Sequence, residues 1–379
     1  MAAEARERPY LRLLHGHRLP PEETDRETLA ALARALAAPD RAGMAAGLER
    51  VALDPETPPP AAVAVGRYLA RHVAPRRGLV LLETLYDRRG ALEPGDPLCE
   101  AALVHGRRTE ALVGLWDAAA AAGLLPDSEW VTTAAEQARG RGLPGLPVVT
   151  MPRSGTQFLG NNLALVYRHR PVPTGCGMFP DVRLIPARLR TQAAGGLMST
   201  DHTAPVAANL DALAEAGITR LCLVVRDPRQ ATLSRLNQLA TANDDMRTFL
   251  RVAPPLPFPE AWESLSFADK AAWFGDHWLP VLVRWLTDWL TVADADPRFR
   301  VHVTAFEAMR AAPRDAINAM LAFAGASCRL KATLAPHSGD HYHASAGDAW
   351  RTTLPAGLAA RWAAGVPAAL CRRFGWPEG

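Results

Sequence analysis

The sequence predicts an α/β domain with a parallel sheet, preceded by an all-α helical domain. Three observations carry this. Residues 1–145 read as helical stretches parted by Pro and Gly. A connector rich in Gly, Arg and Pro, Ala138 to Pro147, then changes the texture of the chain. Beyond it, short apolar runs alternate with helical segments, the pattern of a parallel sheet covered by helices. The domains expected are 1–145 and 146–379, and 379 residues have room for two or three.

In chain order, helices are expected over Leu29 to Ala37, Ala62 to Val73, Leu79 to Tyr86, Leu98 to His105 and Glu110 to Ala122. Ala91-Leu-Glu-Pro94 and Leu124-Leu-Pro-Asp127 are loosely alike, with their prolines 32 residues apart. That is near the period of tetratricopeptide-type repeats, although the large aromatics of that repeat are mostly missing. An ordinary helical domain fits equally well. Strands are expected at Pro147-Val-Val-Thr-Met151, Leu221-Cys-Leu-Val-Val225 and Phe299-Arg-Val-His-Val303. The first two have little polar interruption, as in strands buried on both faces. Gly196 to Pro205 is also strand-like, giving a sheet of about four or five strands.

Composition excludes several functions. Lys and Arg number 42 against 39 Asp and Glu, a poor balance for holding nucleic acid by bulk charge. Hydrophobic residues at 49% supply real cores. The five cysteines are widely spaced without a C-x-x-C pair, so neither a disulfide framework nor a thiolate zinc site is indicated. The first residues lack the apolar core of a secretory signal, and Trp278 to Val292 is broken by Arg284 and Asp288. A cytoplasmic protein that spans no membrane is expected.

Two loops carry candidate chemistry. The first strand runs into Met151-Pro-Arg-Ser-Gly-Thr-Gln-Phe-Leu159, a small turn that opens a helix. Backbone N–H groups at such a start lack internal partners and, with the helix dipole, favour phosphate. Gly155 lets the backbone come close, Arg153 adds a positive charge, and Thr156 and Gln157 add side-chain donors. The G-x-x-x-x-G-K-S/T spacing of nucleoside triphosphatases is absent. The second strand runs into Arg226-Asp-Pro-Arg-Gln-Ala-Thr-Leu-Ser234, with Asp227 as N-cap and Pro228 at the first helical position. Arg226 and Ser234 could converge on a second anion. Equally, the first loop could be a plain strand–turn–helix corner, and Arg226 could pair with Asp227.

The pair of motifs resembles the sulfotransferase family that uses PAPS, 3′-phosphoadenosine-5′-phosphosulfate. In that family a P-K/R-S/A-G-T loop binds the 5′-phosphosulfate, and R-D/N-P with a following Ser binds the 3′-phosphate. Pro152-Arg-Ser-Gly-Thr156, Arg226 and Ser234 match. Trp285 and Trp289 lie on an expected helix before Phe299 to Glu307, which is similar to the family's late strand ending in Y-E-D-L, with Phe306-Glu307 in place of Tyr-Glu. Ala346-Gly-Asp-Ala-Trp350 followed by Arg351 is similar to its G-D-W segment. The resemblance covers about residues 146–360, and the helical N-terminus is similar to bacterial members fused to tetratricopeptide-like repeats.

The resemblance implies a P-loop-like, three-layer fold, PAPS as donor with PAP as product, and a small-molecule or biosynthetic acceptor. It implies cofactor contacts from Arg153, Ser154, Gly155, Thr156, Gln157, Arg226, Ser234 and Arg351, and charge stabilisation by Arg153. His202 corresponds to the family's general base in T-H-x-P, with Asp201 in reserve, since repeat-fused members carry D-K-x-P. An imidazole is well matched to proton removal near neutral pH. A structural, hydrogen-bonded histidine is the alternative.

There are departures. Gly175-Cys-Gly177 stands where repeat-fused relatives place a Gly-Glu base, and the R-K-G triplet before G-D-W is missing. His337, His341 and His343 have a spacing that could ligate zinc, but a mobile loop near nucleotide or acceptor is the preferred reading, and no metal is expected. Val252 to Pro259 reads as a stiff connector, and the N-terminal helices leave room for a protein partner or self-association. The alternatives are a P-loop kinase of a small metabolite, for which no Walker-type Lys is present, and a non-catalytic helical-repeat binding protein.

Overall fold

The computed structural model describes residues 26–90, 97–106, 108–125, 127–241, 258–259, 261–333 and 348–378. The His337, His341 and His343 segment, Val252 to Pro257 and Ala91 to Pro94 lie outside the described residues. The chain divides into two compact units, with the boundary between Leu112 and Val113. No helix among the described residues is long and apolar enough to cross a membrane.

The first unit is helical. Its described helices are α1 (Arg26–Leu36), α2 (Arg41–Leu53), α3 (Pro59–Tyr68), α4 (Pro75–Arg89) and α5 (Pro97–His105). Each packs on the one before it. Proline opens α3 and α4, where its missing N–H costs nothing. Helix α3 continues into a π-type turn, Leu69–Val73. Helix α2 is an addition to the expected set. It starts at a real cap, since the Asp40 carboxylate accepts the Gly43 N–H at 2.7 Å.

The second unit is α/β. Helices α6 (Thr109–Ala121, starting in the first unit) and α7 (Ser128–Gly140) precede the sheet. Ala138, expected in a linker, is a buried core residue of α7, so the connector is only residues 141–145. The strands are β1 (Leu146–Thr150), β2 (Gly175–Cys176), β3 (Arg183–Leu184), β4 (Met198–Asp201), β5 (Arg220–Val225) and β6 (Arg300–Ala305). Four of them form one sheet in the order β4-β1-β5-β6, all parallel. The other two, β2 and β3, make a short antiparallel pair.

Helices cover both faces. On one, α8 (Thr156–Tyr167) and α15 (Pro313–Ala324) bring Leu159, Leu163, Ile317 and Met320 onto Val148 and Val224. On the other, Leu189 of α9 (Pro186–Ala193) and Leu213 of α10 (Ala207–Glu215) border the same small space as Val149 and Leu221. Every residue of β1 is buried, which is why it reads as a run with little polar interruption. Edge strand β6 is mostly half-buried and correspondingly mixed. The remaining helices are α11 (Pro228–Thr241), α12 (Phe267–His277), α13 (Leu279–Ala295), α14 (Phe306–Ala311), α16 (Ala349–Thr353), α17 (Ala356–Ala364) and α18 (Ala368–Phe374).

Strand register brings the strand ends into line. Val149 pairs with Asp201 and with Leu223, and Val225 pairs with Ala305. The four strands therefore end level, and residues 151, 202, 226 and 306 leave the sheet along one edge.

Helix α7 is held close to this unit by Gly196, whose φ is +82°. A Cβ there would lie 2.1 Å from the Ala135 carbonyl oxygen and 2.7 Å from the Arg139 nitrogen. Gly196→Ala combines backbone strain with overpacking and should cost about 2–4 kcal/mol. Urea denaturation measures this, and an unchanged midpoint would mean that α7 can retreat freely.

Candidate active site

The loop after β1 turns through two left-handed residues, Arg153 at φ +69° and Gly155 at φ +85°. Gly155 is the N-cap of α8 and no side chain caps the helix. The first N–H groups of α8 are thus available to an anion. Gly155 is required on two counts. Its φ disfavours a side chain, and a Cβ would meet the Phe306 ring at 2.9 Å.

The predicted loop residues play different parts. Ser154 is buried and occupied, its N–H and hydroxyl both donating to the Met151 carbonyl, at 3.1 and 2.7 Å. The Thr156 hydroxyl donates to the Thr150 hydroxyl at 3.0 Å, and Gln157 is exposed. Arg153 Nε donates to Ser234 Oγ at 3.0 Å, and Arg226 Nη1 donates to the Arg153 carbonyl at 2.7 Å. The two anion loops are therefore joined by direct hydrogen bonds rather than standing apart.

Arg226 does not pair with Asp227. Arg229 takes both Asp227 carboxylate oxygens, each at 2.9 Å, with both side chains essentially fully buried. Asp227 also accepts the Arg229 N–H at 2.9 Å, the N-cap role its position implied. Arg229 lies 4.6 Å from the Trp350 ring centroid, so the C-terminal segment docks on the start of α11. Arg226 instead stacks on Phe306 at 4.4 Å, and its buried Nε has no partner among the described residues. Glu307 Oε1 accepts the Asp227 N–H at 3.2 Å and tethers this loop to the end of β6.

Burial holds the guanidinium of Arg226 down to about 10, with Glu307 and Asp227 opposing and Arg153 and Arg310 adding to the effect. Burial also brings Arg153 to about 10. Arg235, which belongs to neither motif, is held to about 10 by burial and by the charge of Arg153. Arg351 is exposed; it donates to the Glu378 carbonyl and lies over the Trp350 ring at 4.8 Å. No contact among the described residues brings it to the loops.

His202 sits at the same edge. Its Nδ1 is 2.6 Å from the Thr150 carbonyl, which can only accept. The proton is thereby assigned to Nδ1, leaving Nε2 as a lone-pair acceptor. Burial, above all, pushes the imidazole down to about 4. The Thr150 carbonyl favours the charged ring, while Arg235 and Arg153 disfavour it. Phe179 meets the ring edge-on at 6.4 Å and also contacts Trp278 at 5.2 Å. Trp285 and Trp289 both donate to the Thr203 carbonyl at 2.8 Å, fixing the turn that carries His202.

Asp201 is otherwise engaged. Its Oδ2 accepts from the Thr174 hydroxyl at 2.7 Å and the Thr174 N–H at 3.1 Å, and burial raises its pKa. Thr150 and Thr174, which orient these two side chains, had no motif to announce them.

The charge of this edge decides its chemistry. It sets three buried arginines, Arg153, Arg226 and Arg235, beside a neutral imidazole, that of His202. The family model described as the sulfotransferase domain matches residues 144–335, a little over half of the chain. The chain belongs to the sulfotransferase family, as its two loops implied, and its chemistry is sulfuryl transfer. Neither a curated protein nor a solved structure matches it.

In the free protein, NMR of His202 should show a neutral ring with its proton on Nδ1 from roughly pH 5 upward. Charging is expected only near pH 4. The unfolded ring takes its proton near 6.5, so between these values the unfolded state binds more protons. Stability from this group is therefore complete above 6.5 and falls as the pH drops towards 4. A midpoint at or above 6.5 would contradict the assignment.

Proposed function

We propose that the protein transfers a sulfuryl group from PAPS to an acceptor hydroxyl, giving a sulfate ester and PAP. The observation that carries this is the joined cradle: an uncapped helix start, with Arg153 hydrogen-bonded both to Ser234 and to Arg226. The residues fit an anionic nucleotide. The orphaned Arg226 Nε is a buried donor awaiting an acceptor, and an anion would offset three desolvated cations. Bound there, PAPS supplies the sulfuryl group and a phosphate leaving group.

The residues of the chain do the rest. The amides of Gly155, Thr156 and Gln157 hold the 5′ end. Arg153 stabilises negative charge that grows on the leaving oxygen. Arg226 and Ser234 hold the 3′-phosphate, and Arg351 is the residue of the C-terminal segment that would have to leave the Glu378 carbonyl to reach the nucleotide. His202 Nε2 takes the proton of the acceptor hydroxyl. A group that carries less charge than a phosphoryl group needs no Mg²⁺ clamp, in keeping with a loop that has Arg153-Ser-Gly-Thr156 and no Walker-type Lys. The acceptor is a small or biosynthetic molecule. A cytoplasmic setting is supported by five free cysteines, four of them buried. The N-terminal helices serve a protein partner or self-association.

Calorimetry with PAP and with ATP tests the donor, and PAP should bind while ATP does not. Arg226→Ala should weaken PAP roughly ten- to a hundredfold, and an analogue lacking the 3′-phosphate much less. Equal losses would reassign Arg226 to holding the Arg153 carbonyl. His202→Ala should lower turnover with a model phenol or alcohol by roughly 10²–10⁴-fold while PAP binds nearly as before. An active His202→Ala protein would remove the histidine from the chemistry.

A further inference from the structure

We propose that Arg235 is a further catalytic residue, whose guanidinium holds the sulfuryl oxygens as that group passes from donor to acceptor. This rests on the sulfuryl transfer proposed above. Ser234 and Arg235 are neighbours on α11 and point about 100° apart. Ser234 turns to Arg153, whereas Arg235 lies over the Trp278 ring at 5.3 Å and donates to Gln238 Oε1 at 3.1 Å. The Trp278 ring contacts Phe179 at 5.2 Å, and Phe179 contacts His202 at 6.4 Å. A continuous line of rings thus leads from the guanidinium to the base. The charge of Arg235 acts on His202, and that of Arg153 acts on Arg235. Arg235 therefore lies close to both the base and the donor's loop.

A cation here is expensive for the empty protein. Burial and Arg153 both disfavour it, and among the described residues no carboxylate forms a salt bridge with it. Filling space against Trp278 needs only an apolar side chain. An anion is what offsets the charge, and the anionic group that travels between the loop and His202 is the sulfuryl. The acceptor oxygen bonds to sulfur while the sulfur–oxygen bond to the nucleotide phosphate breaks. The bonding pair leaves with the phosphate, and the acceptor's proton goes to His202 Nε2. Arg235 meets the sulfuryl oxygens throughout, as Arg153 meets the leaving oxygen.

The test uses Arg235→Gln and Arg235→Lys in the full chain. PAP carries no sulfuryl group, so its affinity should stay within about threefold of wild type. Turnover of the Gln variant should fall about 10²–10³-fold, and Lys should restore part of it by returning the charge without the planar fork. Without any nucleotide, the His202 titration midpoint should move up in the Gln variant, because a charge that lowers it has gone. Thermal unfolding of the Lys variant should match wild type. Unchanged turnover would overturn the proposal, as would a loss of PAP affinity equal to the loss of turnover. An effect confined to KM for anionic acceptors would make Arg235 an acceptor contact instead. If wild type fails to bind PAP, the donor reading fails and this proposal with it, while an upward His202 shift would still place Arg235 beside the base.

Discussion

Three buried arginines gathered at one sheet edge are the constraint on which the rest of the site depends. Arg153, Arg226 and Arg235 are each held below the ordinary arginine range by burial. The acidic residues at this edge are largely committed elsewhere. Asp227 is consumed by Arg229, Asp201 by Thr174, and Glu307 gives one oxygen to the Asp227 N–H. Burying cations is unfavourable unless negative charge offsets it. Under the proposed function, the anionic donor would supply that offset, and part of its affinity would come from cost already incurred in folding.

The same charges govern the base. Arg235 and Arg153 help to keep His202 neutral, and the Thr150 carbonyl fixes its proton on Nδ1. A neutral imidazole with Nε2 free can accept a proton, but one with a pKa near 4 accepts it weakly. Under the proposed function, an anion in the cradle would offset part of the arginine charge and move the ring back toward its ordinary range, so that donor binding and the basicity of His202 would be coupled through charge.

Much of this was legible in the sequence, for identifiable reasons. Strands β1 and β5 are buried on both faces and show as apolar runs, and the loops after them carry motif residues whose chemistry is plain. The β2–β3 pair was not legible, because two-residue strands have no period to detect. Helix α2 has a readable cap in Asp40, but Gly43 and Gly47 interrupt its pattern. Helix α7 buries mainly small residues, Ala134, Ala135 and Ala138, which give a faint apolar face. In the site, the choice between Asp201 and His202 was open in the sequence. Contacts made across the fold give the two different partners, Thr174 for Asp201 and Thr150 for His202. Arg235 belongs to no motif, and only the packing of α11 on Trp278 brings it into view.

The substitution of Phe306 for the family's tyrosine shows which feature of that position this fold uses. The ring of Phe306 lies against Gly155, where any Cβ would collide with it, and under the guanidinium of Arg226 at 4.4 Å. One aromatic face thereby sets both loops: it presses the turn after β1 and aims the arginine after β5. Glu307, the next residue, ties the second loop down through the Asp227 N–H. Both jobs need a flat apolar surface and a carboxylate at the end of β6, and neither needs a phenolic hydroxyl. The loss of that oxygen leaves the cradle intact because the ring supplies contact and a cation–π face, while the hydrogen bonds that join the loops run directly between Arg226, Arg153 and Ser234.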